Sequence, residues 1–178
     1  MIFVETNRLL LRRVAEEDYS YFRSYLLDKE MDRVMLRSPC ETEEDILLGF
    51  EWFLHKEERA YVIVLKETGE TIGNLTVYNH VPNCVSEHSS VLGKTGKGLS
   101  FAMSPAFQRK GYMYEAVSAV INHLFRVEHA DYINCGYLSY NIPSKALQEK
   151  LGFSYLLTDR FLFDGKEMES IENILWNK

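Results

Sequence analysis

The sequence predicts a mixed α/β (α+β) fold, with one domain covering residues 1–178. Three stretches carry this prediction. Residues 99–125 read as a strand, a turn and a long amphipathic helix. Residues 60–78 read as two strands joined at Gly69, which can take a positive φ in a hairpin turn. Residues 132–178 read as a strand, a helix and two final strands, so strands and helices both contribute to the core.

Composition is that of an ordinary globular protein, with 46% hydrophobic and 26% charged residues. No run approaches the roughly 18 apolar residues of a membrane span, and the N-terminal residues lack a signal-peptide pattern. Three cysteines without a CxxC pair favour a reducing compartment. The net charge of −6 argues against nucleic acid and is compatible with a cationic amine. We therefore expect a cytoplasmic protein without nucleic-acid or membrane partners.

The N-terminal part is predicted to contain a strand followed by a short helix. Residues 5–14 are expected to form one strand, because Leu9 and Leu11 alternate onto the same face. Residues 18–27 have the apolar spacing of a helix.

A second helix is predicted to begin near Thr42 and to end near His55. Thr42 and Asp45 have the spacing of a capping box, with Asp in place of the usual Glu. The helical period then directs five apolar residues inward: Ile46, Leu47, Phe50, Phe53 and Leu54.

Residues 81–97 have no sustained periodicity and are rich in Pro, Ser and Gly. Long loops of this kind in compact domains are usually functional or disordered. We expect a mobile flap, and a partly ordered strand is the alternative. Cys84 and His88 lie in this loop, but two side chains do not make a zinc site, so no metal is expected.

The turn between the strand 99–103 and the following helix has the features of an anion site. Free N–H groups at a helix start point outward, and the helix dipole adds positive potential there. Arg109 and Lys110 supply charge, and Gly111 permits close approach or a positive φ. A phosphate or pyrophosphate is the natural ligand. The alternative is a packing turn with two solvated basic residues.

A second polar cluster follows the strand predicted at 132–138, in which Cys135 is expected to be a small buried residue. Asn141 suits an N-cap, Pro143 a first helical turn, and Gly152 the position just past the helix end. Each of these residues thus has a structural explanation before a catalytic one.

Three motifs in this order resemble the GCN5-related N-acetyltransferase (GNAT) superfamily. The stretch 108–113, QRKGYM, is similar to motif A, Gln/Arg-x-x-Gly-x-Gly/Ala, although Met113 stands where Gly or Ala is usual. The stretch 141–153, NIPSKALQEKLGF, resembles motif B. The opening Thr6-x-Arg8-Leu9-x-Leu11-Arg12 looks like the RimJ/RimL branch.

The resemblance implies a GNAT fold: a mixed, mostly antiparallel sheet of six to seven strands, about four helices, and a splayed strand pair at the cofactor site. It also implies an N-acetyltransferase that uses acetyl-CoA to acetylate a primary amine. The acceptor would be a protein N-terminus, such as that of a ribosomal protein, or a small amine. A CoA-binding sensor or partner-binding module without efficient transfer is the alternative.

The resemblance further implies which residues form the site. Backbone groups of Phe101 would contact pantetheine, and the Met103 N–H is the candidate oxyanion donor. The motif-A loop would hold the pyrophosphate through Gln108, Arg109, Lys110, Gly111, Tyr112 and Met113. Asn141 would hydrogen-bond the pantetheine arm.

One position departs from the family pattern. Many members have a tyrosine acid where this chain has Gln148, which cannot donate a proton as an acid. In the RimJ/RimL branch a serine three residues after the motif-B asparagine is a proposed substitute, and here it is Ser144. Its hydroxyl would act as an acid or only as a hydrogen-bonding group to the CoA sulfur.

The general base and the oligomeric state are left open by the sequence. Glu87, His88, His80 and Glu115 are all candidates for the base, and none is preferred. A homodimer is compatible with an exposed final strand.

Overall fold

The computed structural model describes residues 2–55 and 59–178. Within these residues the chain forms one sheet with the strand order β1-β2-β3-β4-β5-β6-β8-β7. The strands are β1 (Ile2–Glu5), β2 (Leu9–Arg13), β3 (Arg59–Leu65), β4 (Glu70–Tyr78), β5 (Gly96–Met103), β6 (Tyr132–Leu138), β7 (Ser154–Phe163) and β8 (Lys166–Trp176). The helices are α1 (Tyr19–Leu26), α2 (Lys29–Met35), α3 (Glu43–His55), α4 (Asn83–Ser86), α5 (Tyr112–Arg126) and α6 (Ile142–Leu151).

The predicted α/β fold class is confirmed, but the element count is higher than expected. The segment 5–14 was predicted as one strand and is instead the turn and second strand of the β1–β2 hairpin. The Thr6 N–H donates to the Leu9 carbonyl at 2.9 Å and closes that turn. Helix α2 was not predicted; Asp28 caps it by accepting hydrogen bonds from the Glu30 and Met31 amides.

The described residues divide into two compact units. The first takes the described residues up to Thr76 together with Phe101–Ala119, and the second takes Val77–Ser100 and Val120–Lys178. Each unit has its own hydrophobic cluster.

In the first unit, α1, α2 and α3 pack on the apolar side chains of β3. Phe22 and Phe53 have ring centroids 4.5 Å apart, and Phe22 is fully buried. The predicted inward face of α3 is correct for Ile46, Phe50 and Phe53 but wrong for Leu47, which is 47% exposed. Leu47 lies at the border of the helical stripe, where the 3.6-residue period does not decide which way a side chain faces.

Two local predictions in this unit are confirmed. The Thr42 Oγ1 accepts from the Asp45 N–H at 3.1 Å, and the Asp45 carboxylate accepts from the Thr42 N–H at 2.9 Å, so the capping box forms with Asp. Gly69 takes a φ of +72° in the turn between β3 and β4.

In the second unit, β8 pairs antiparallel with both β6 and β7. The final strand was expected to be exposed, and this is wrong, because β7 is the edge of the sheet. Asp164 and Gly165 form the turn between β7 and β8, and both residues have positive φ. Cys135 is buried as predicted, and burial raises the pKa of its thiol.

The segment 81–97 is not a structureless flap. It contains α4, a series of hydrogen-bonded turns and the start of β5. Val81, Val85 and Val91 are buried in a cluster with Tyr132 and Ile174. The three valines are too widely spaced to give a periodic signal in the sequence, yet they attach the segment to the core of the second unit.

The two parallel strands of the second unit pair over a short distance. The register joins Gly96–Gly98 of β5 to Tyr132–Asn134 of β6. Within the described residues of this unit, Leu99 and Ser100 continue β5 beyond that ladder without a partner on β6. This is the pattern expected for a splayed strand pair, because unpaired backbone groups are left at the point of divergence.

No helix in the described ranges is both long enough and apolar enough to cross a membrane.

Asp18, just before α1, connects three parts of the first unit by hydrogen bonds, so its replacement should destabilise the protein. Its buried carboxylate accepts from Arg12 at 2.7 Å, from the Ala15 N–H at 2.9 Å and from Thr71 at 2.9 Å. We expect Asp18→Asn to lower the free energy of unfolding by about 3 kcal/mol, because Arg12 loses its buried anionic partner and keeps the exposed carboxylate of Glu17. Urea unfolding measures this loss.

The exposed pair of Glu30 and Arg33 provides the control. Glu30→Gln should leave the free energy of unfolding nearly unchanged, as is usual when one partner of a surface ion pair is removed. A loss for Asp18→Asn no larger than that of the control would show that the carboxylate is not a structural centre.

Candidate functional site

The end of β5 and the turn after it form a compact group in the first unit. Met103 is buried and Phe101 is half-buried. The Gln108 Nε2 donates to the Met103 carbonyl at 3.0 Å, so the side chain of Gln108 ties the turn to the strand end. The backbone of β4 approaches closely here, since a Cβ placed on Gly73 would lie 2.8 Å from the Ala102 carbonyl oxygen.

The turn itself is exposed and has two residues in the left-handed region. Arg109 has a φ of +62° and Gly111 a φ of +81°, so the positive φ predicted for Gly111 is confirmed. The Gly111 carbonyl accepts from the Glu115 N–H at 3.1 Å, which makes Gly111 the last residue before α5. The first amides of a helix have no partner within the helix and can bind an anion.

A carboxylate in the first turn of α5 fixes this loop. Glu115 accepts from the Thr6 hydroxyl at 2.6 Å, from the Arg8 N–H at 3.0 Å and from the Arg8 Nε at 2.6 Å. The Arg8 Nη1 donates to the Lys110 carbonyl at 3.2 Å, and its guanidinium lies 4.5 Å from the centre of the Tyr112 ring. Thr6 and Arg8 therefore hold the motif-A turn in place through Glu115 and Lys110, a role that sequence reasoning missed.

This network also argues against Glu115 as the general base. Burial raises the pKa of Glu115, but the hydrogen bonds from Thr6 and Arg8 and the charge of Arg8 outweigh it, and the net pKa is lowered. A carboxylate with three donors and a lowered pKa is a poor proton acceptor. The role of Glu115 is therefore structural: it fixes the conformation of the loop.

The donor set of the turn fits a phosphorylated group. Arg109 and Lys110 are exposed cations, and the Lys110 Nζ lies 5.2 Å from the centre of the Phe107 ring. Gly111 has no side chain to occupy the turn, and Met113 is half-buried at the start of α5. Cations, helix amides and an open glycine are the groups that bind pyrophosphate oxygens.

Asn141 and Ser144 lie together at the start of α6 in the second unit. The Asn141 Oδ1 accepts from the Ser144 N–H at 3.2 Å, which confirms the predicted N-cap. Gly152 ends the helix with a φ of +89°. In the described part of the chain the Asn141 Nδ2 makes no hydrogen bond, so the amide can still donate to a ligand.

Gln148, the residue at the tyrosine position, is fully buried below Ser144. Its Nε2 donates to the Ser144 Oγ at 3.2 Å, and its Oε1 accepts from the Asn173 Nδ2 at 3.0 Å. Sequence reasoning missed this connection, because Asn173 lies 25 residues further along the chain. In the sequence, this connection is indicated by a polar residue, Gln148, on the inner face of an amphipathic helix, where a buried amide needs a partner.

The predicted site residues thus fall into two groups. Those from Phe101 to Met113 come together in the first unit, and Asn141 and Ser144 come together in the second. Among residues 2–55 and 59–178, no three His, Cys, Asp or Glu side chains cluster as metal ligands.

Comparison with protein families identifies the chain. The model of the acetyltransferase (GNAT) domain matches residues 8–154. The chain belongs to the GNAT acetyltransferase family. As a member it is an N-acetyltransferase, and the resemblance drawn from motifs A and B is confirmed.

Individual relatives agree with this assignment. A ribosomal protein uS5-alanine N-acetyltransferase of Escherichia coli is 29% identical over 173 residues, which cover 90% of this chain and 84% of the relative. A GNAT-family acetyltransferase from Bacillus anthracis has the same fold, with a TM-score of 0.83, 17% identity and 99% of both chains covered. Spermidine N-acetyltransferase from Vibrio cholerae, solved with CoA and spermine, has a TM-score of 0.74, 15% identity and 97% of both chains covered.

The Glu115 network leads to a prediction about pH. Because the Glu115 pKa is lowered in the folded state, its stabilisation is present above the ordinary value of 4.5 and is lost as the pH falls through the lowered pKa. We expect Glu115→Gln to lower the free energy of unfolding by about 2 kcal/mol at neutral pH. The difference from the wild type should shrink as the pH falls below 4.5.

Urea unfolding at a series of pH values tests this expectation. Glu51→Gln, at an exposed carboxylate of α3, is the control and should follow the wild type throughout. A Glu115→Gln deficit that stays constant with pH would show that the carboxylate charge does not stabilise the loop.

Proposed function

We propose that residues 1–178 act as one acetyltransferase domain that moves an acetyl group from acetyl-CoA to a primary amine. The observation that carries this proposal is the turn 108–111, where exposed cations and a side-chain-free glycine precede a 15-residue helix. Support for a single domain comes from the family match over 8–154 and from fold matches that cover nearly the whole chain.

Each residue of the site would bind the part of acetyl-CoA that matches its chemistry. The Arg109 and Lys110 side chains and the first amides of α5 would hold the pyrophosphate, and Gln108 would keep the turn against β5. The Asn141 amide and the Phe101 backbone would bind pantetheine. When bound, acetyl-CoA supplies an acyl group on a thioester, and the Met103 N–H is the proposed donor to the oxyanion that forms on its carbonyl.

For the acceptor we propose the α-amine of a protein N-terminus. The support is the relative that acetylates an alanine of ribosomal protein uS5, which is similar over 90% of this chain. The net charge of −6 suits a cationic amine in general. A polyamine is the second candidate, and its support is the shared fold with a spermidine acetyltransferase.

Acetyl-CoA binding tests the cofactor site. With acetyl-CoA at about a hundred times its dissociation constant, the native state should gain about 2.7 kcal/mol, which raises the melting temperature clearly. We expect Gly111→Leu to abolish this shift, because the side chain fills the turn and strains a φ of +81°.

Gly93→Leu is the matched control. Gly93 also has a positive φ, of +75°, with open space around it, and it precedes β5 in the sequence whereas the turn follows β5. This variant should pay a similar backbone cost and keep the acetyl-CoA shift. Retention of the shift by both variants would place the cofactor elsewhere.

The release of CoA thiol tests transfer itself. We expect thiol release with a peptide that begins with alanine, and less with spermidine at the same concentration. Preference for spermidine would favour the polyamine acceptor. Cofactor binding without thiol release from any amine would favour the sensor or binding-module alternative.

A further inference from the structure

A chain of hydrogen-bonded amides ends at the hydroxyl of Ser144. The Asn173 Nδ2 donates to the Gln148 Oε1 at 3.0 Å, and the Gln148 Nε2 donates to the Ser144 Oγ at 3.2 Å. Gln148 is 0% exposed and Asn173 is 5% exposed, so solvent does not compete for either amide. All three residues lie in the second unit.

The order of donors and acceptors determines what Ser144 can do. Asn173 occupies the oxygen of Gln148, so the NH₂ group of Gln148 faces Ser144. The serine oxygen then accepts, and its own proton remains to be donated. Within residues 2–55 and 59–178, the Ser144 Oγ donates to no acceptor.

The strand β8 holds the far end of this chain. Asn173 pairs with Cys135 of β6 and with Tyr155 of β7, so its backbone is fixed from both sides. The buried Asn134 amide also donates to the Asn173 carbonyl at 3.1 Å and to Glu172 at 2.9 Å. The Gln148 backbone is fixed as well, because its carbonyl accepts from the Phe153 N–H at 3.0 Å.

We propose that Gln148, oriented by Asn173, is a positioning residue that directs the Ser144 hydroxyl proton toward the sulfur of CoA. The inference rests on the proposed function, which brings CoA to Ser144. A hydroxyl is a poor acid, and its contribution is a hydrogen bond that strengthens as the sulfur becomes a thiolate. Gln148 therefore takes no proton-donor role itself and acts through the serine.

Binding of CoA and of desulfo-CoA, which lacks the sulfur, tests this proposal without an acceptor amine. Titration calorimetry at mildly alkaline pH gives both dissociation constants and their ratio. We expect the wild type to prefer CoA and Gln148→Met to reduce this preference about fivefold, as for the loss of one hydrogen bond. Desulfo-CoA should bind Gln148→Met and the wild type equally.

Two further variants separate positioning from folding. Asn173→Ser removes the amide that orients Gln148 and should reduce the preference for CoA in the same direction. In a Ser144→Ala background, Gln148→Met should cause no additional loss. The control is Asn177→Ala, which removes an amide of the same unit that donates to the Ala130 carbonyl and lies outside the chain from Asn173 to Ser144. It should lower the melting temperature and keep the preference.

The outcomes separate a failure of the proposed function from a failure of the role assigned to Gln148. A wild type that binds neither compound overturns the proposed function, and this inference with it. A wild type that binds both compounds equally, or variants that keep the wild-type ratio, would overturn the inference alone. Equal weakening of both compounds in Gln148→Met would mean that Gln148 only supports the fold.

Discussion

The carboxylate of Glu115 is the interaction on which the shape of the motif-A turn depends. It binds three donors from the β1–β2 turn, and Arg8 in addition reaches the Lys110 carbonyl. A turn with positive φ at both Arg109 and Gly111 is costly to form unaided, because non-glycine residues avoid that region. Contacts that fix the peptide at Lys110 offset this cost and keep the helix start open toward solvent.

A comparable constraint acts on the start of α6 in the second unit. The Asn141 side chain accepts from the Ser144 N–H and caps the helix. Gln148, one turn further along the helix, donates to the Ser144 hydroxyl. Buried amide groups are stable only when their hydrogen bonds are satisfied, which makes the orientation of Gln148 dependent on Asn173. A strand at the C-terminal end of the chain thereby determines the surroundings of a side chain in motif B.

The parts that were predictable from sequence are those determined by neighbouring residues. The Thr42–Asp45 capping box, the Asn141 cap and the positive φ of Gly111 each depend on a few consecutive positions. The parts that were missed depend on distant partners. Glu115 was one of four possible bases until its bonds to Thr6 and Arg8, more than 100 residues away, were seen. The valines of the segment 81–97 are another case, since only their contacts with Tyr132 and Ile174 show that the segment is packed.

The exchange of an acidic phenol for an amide at position 148 is chemically consistent with acyl transfer. A thiol ionises near pH 8.5, so a thiolate is a reasonable leaving group without full protonation. What the departing sulfur then requires is a hydrogen-bond donor in a fixed direction, and a serine held by a buried glutamine supplies one. Under this proposal the departure at Gln148 changes how the leaving group is stabilised, from proton donation to hydrogen bonding, and leaves the requirement for stabilisation intact.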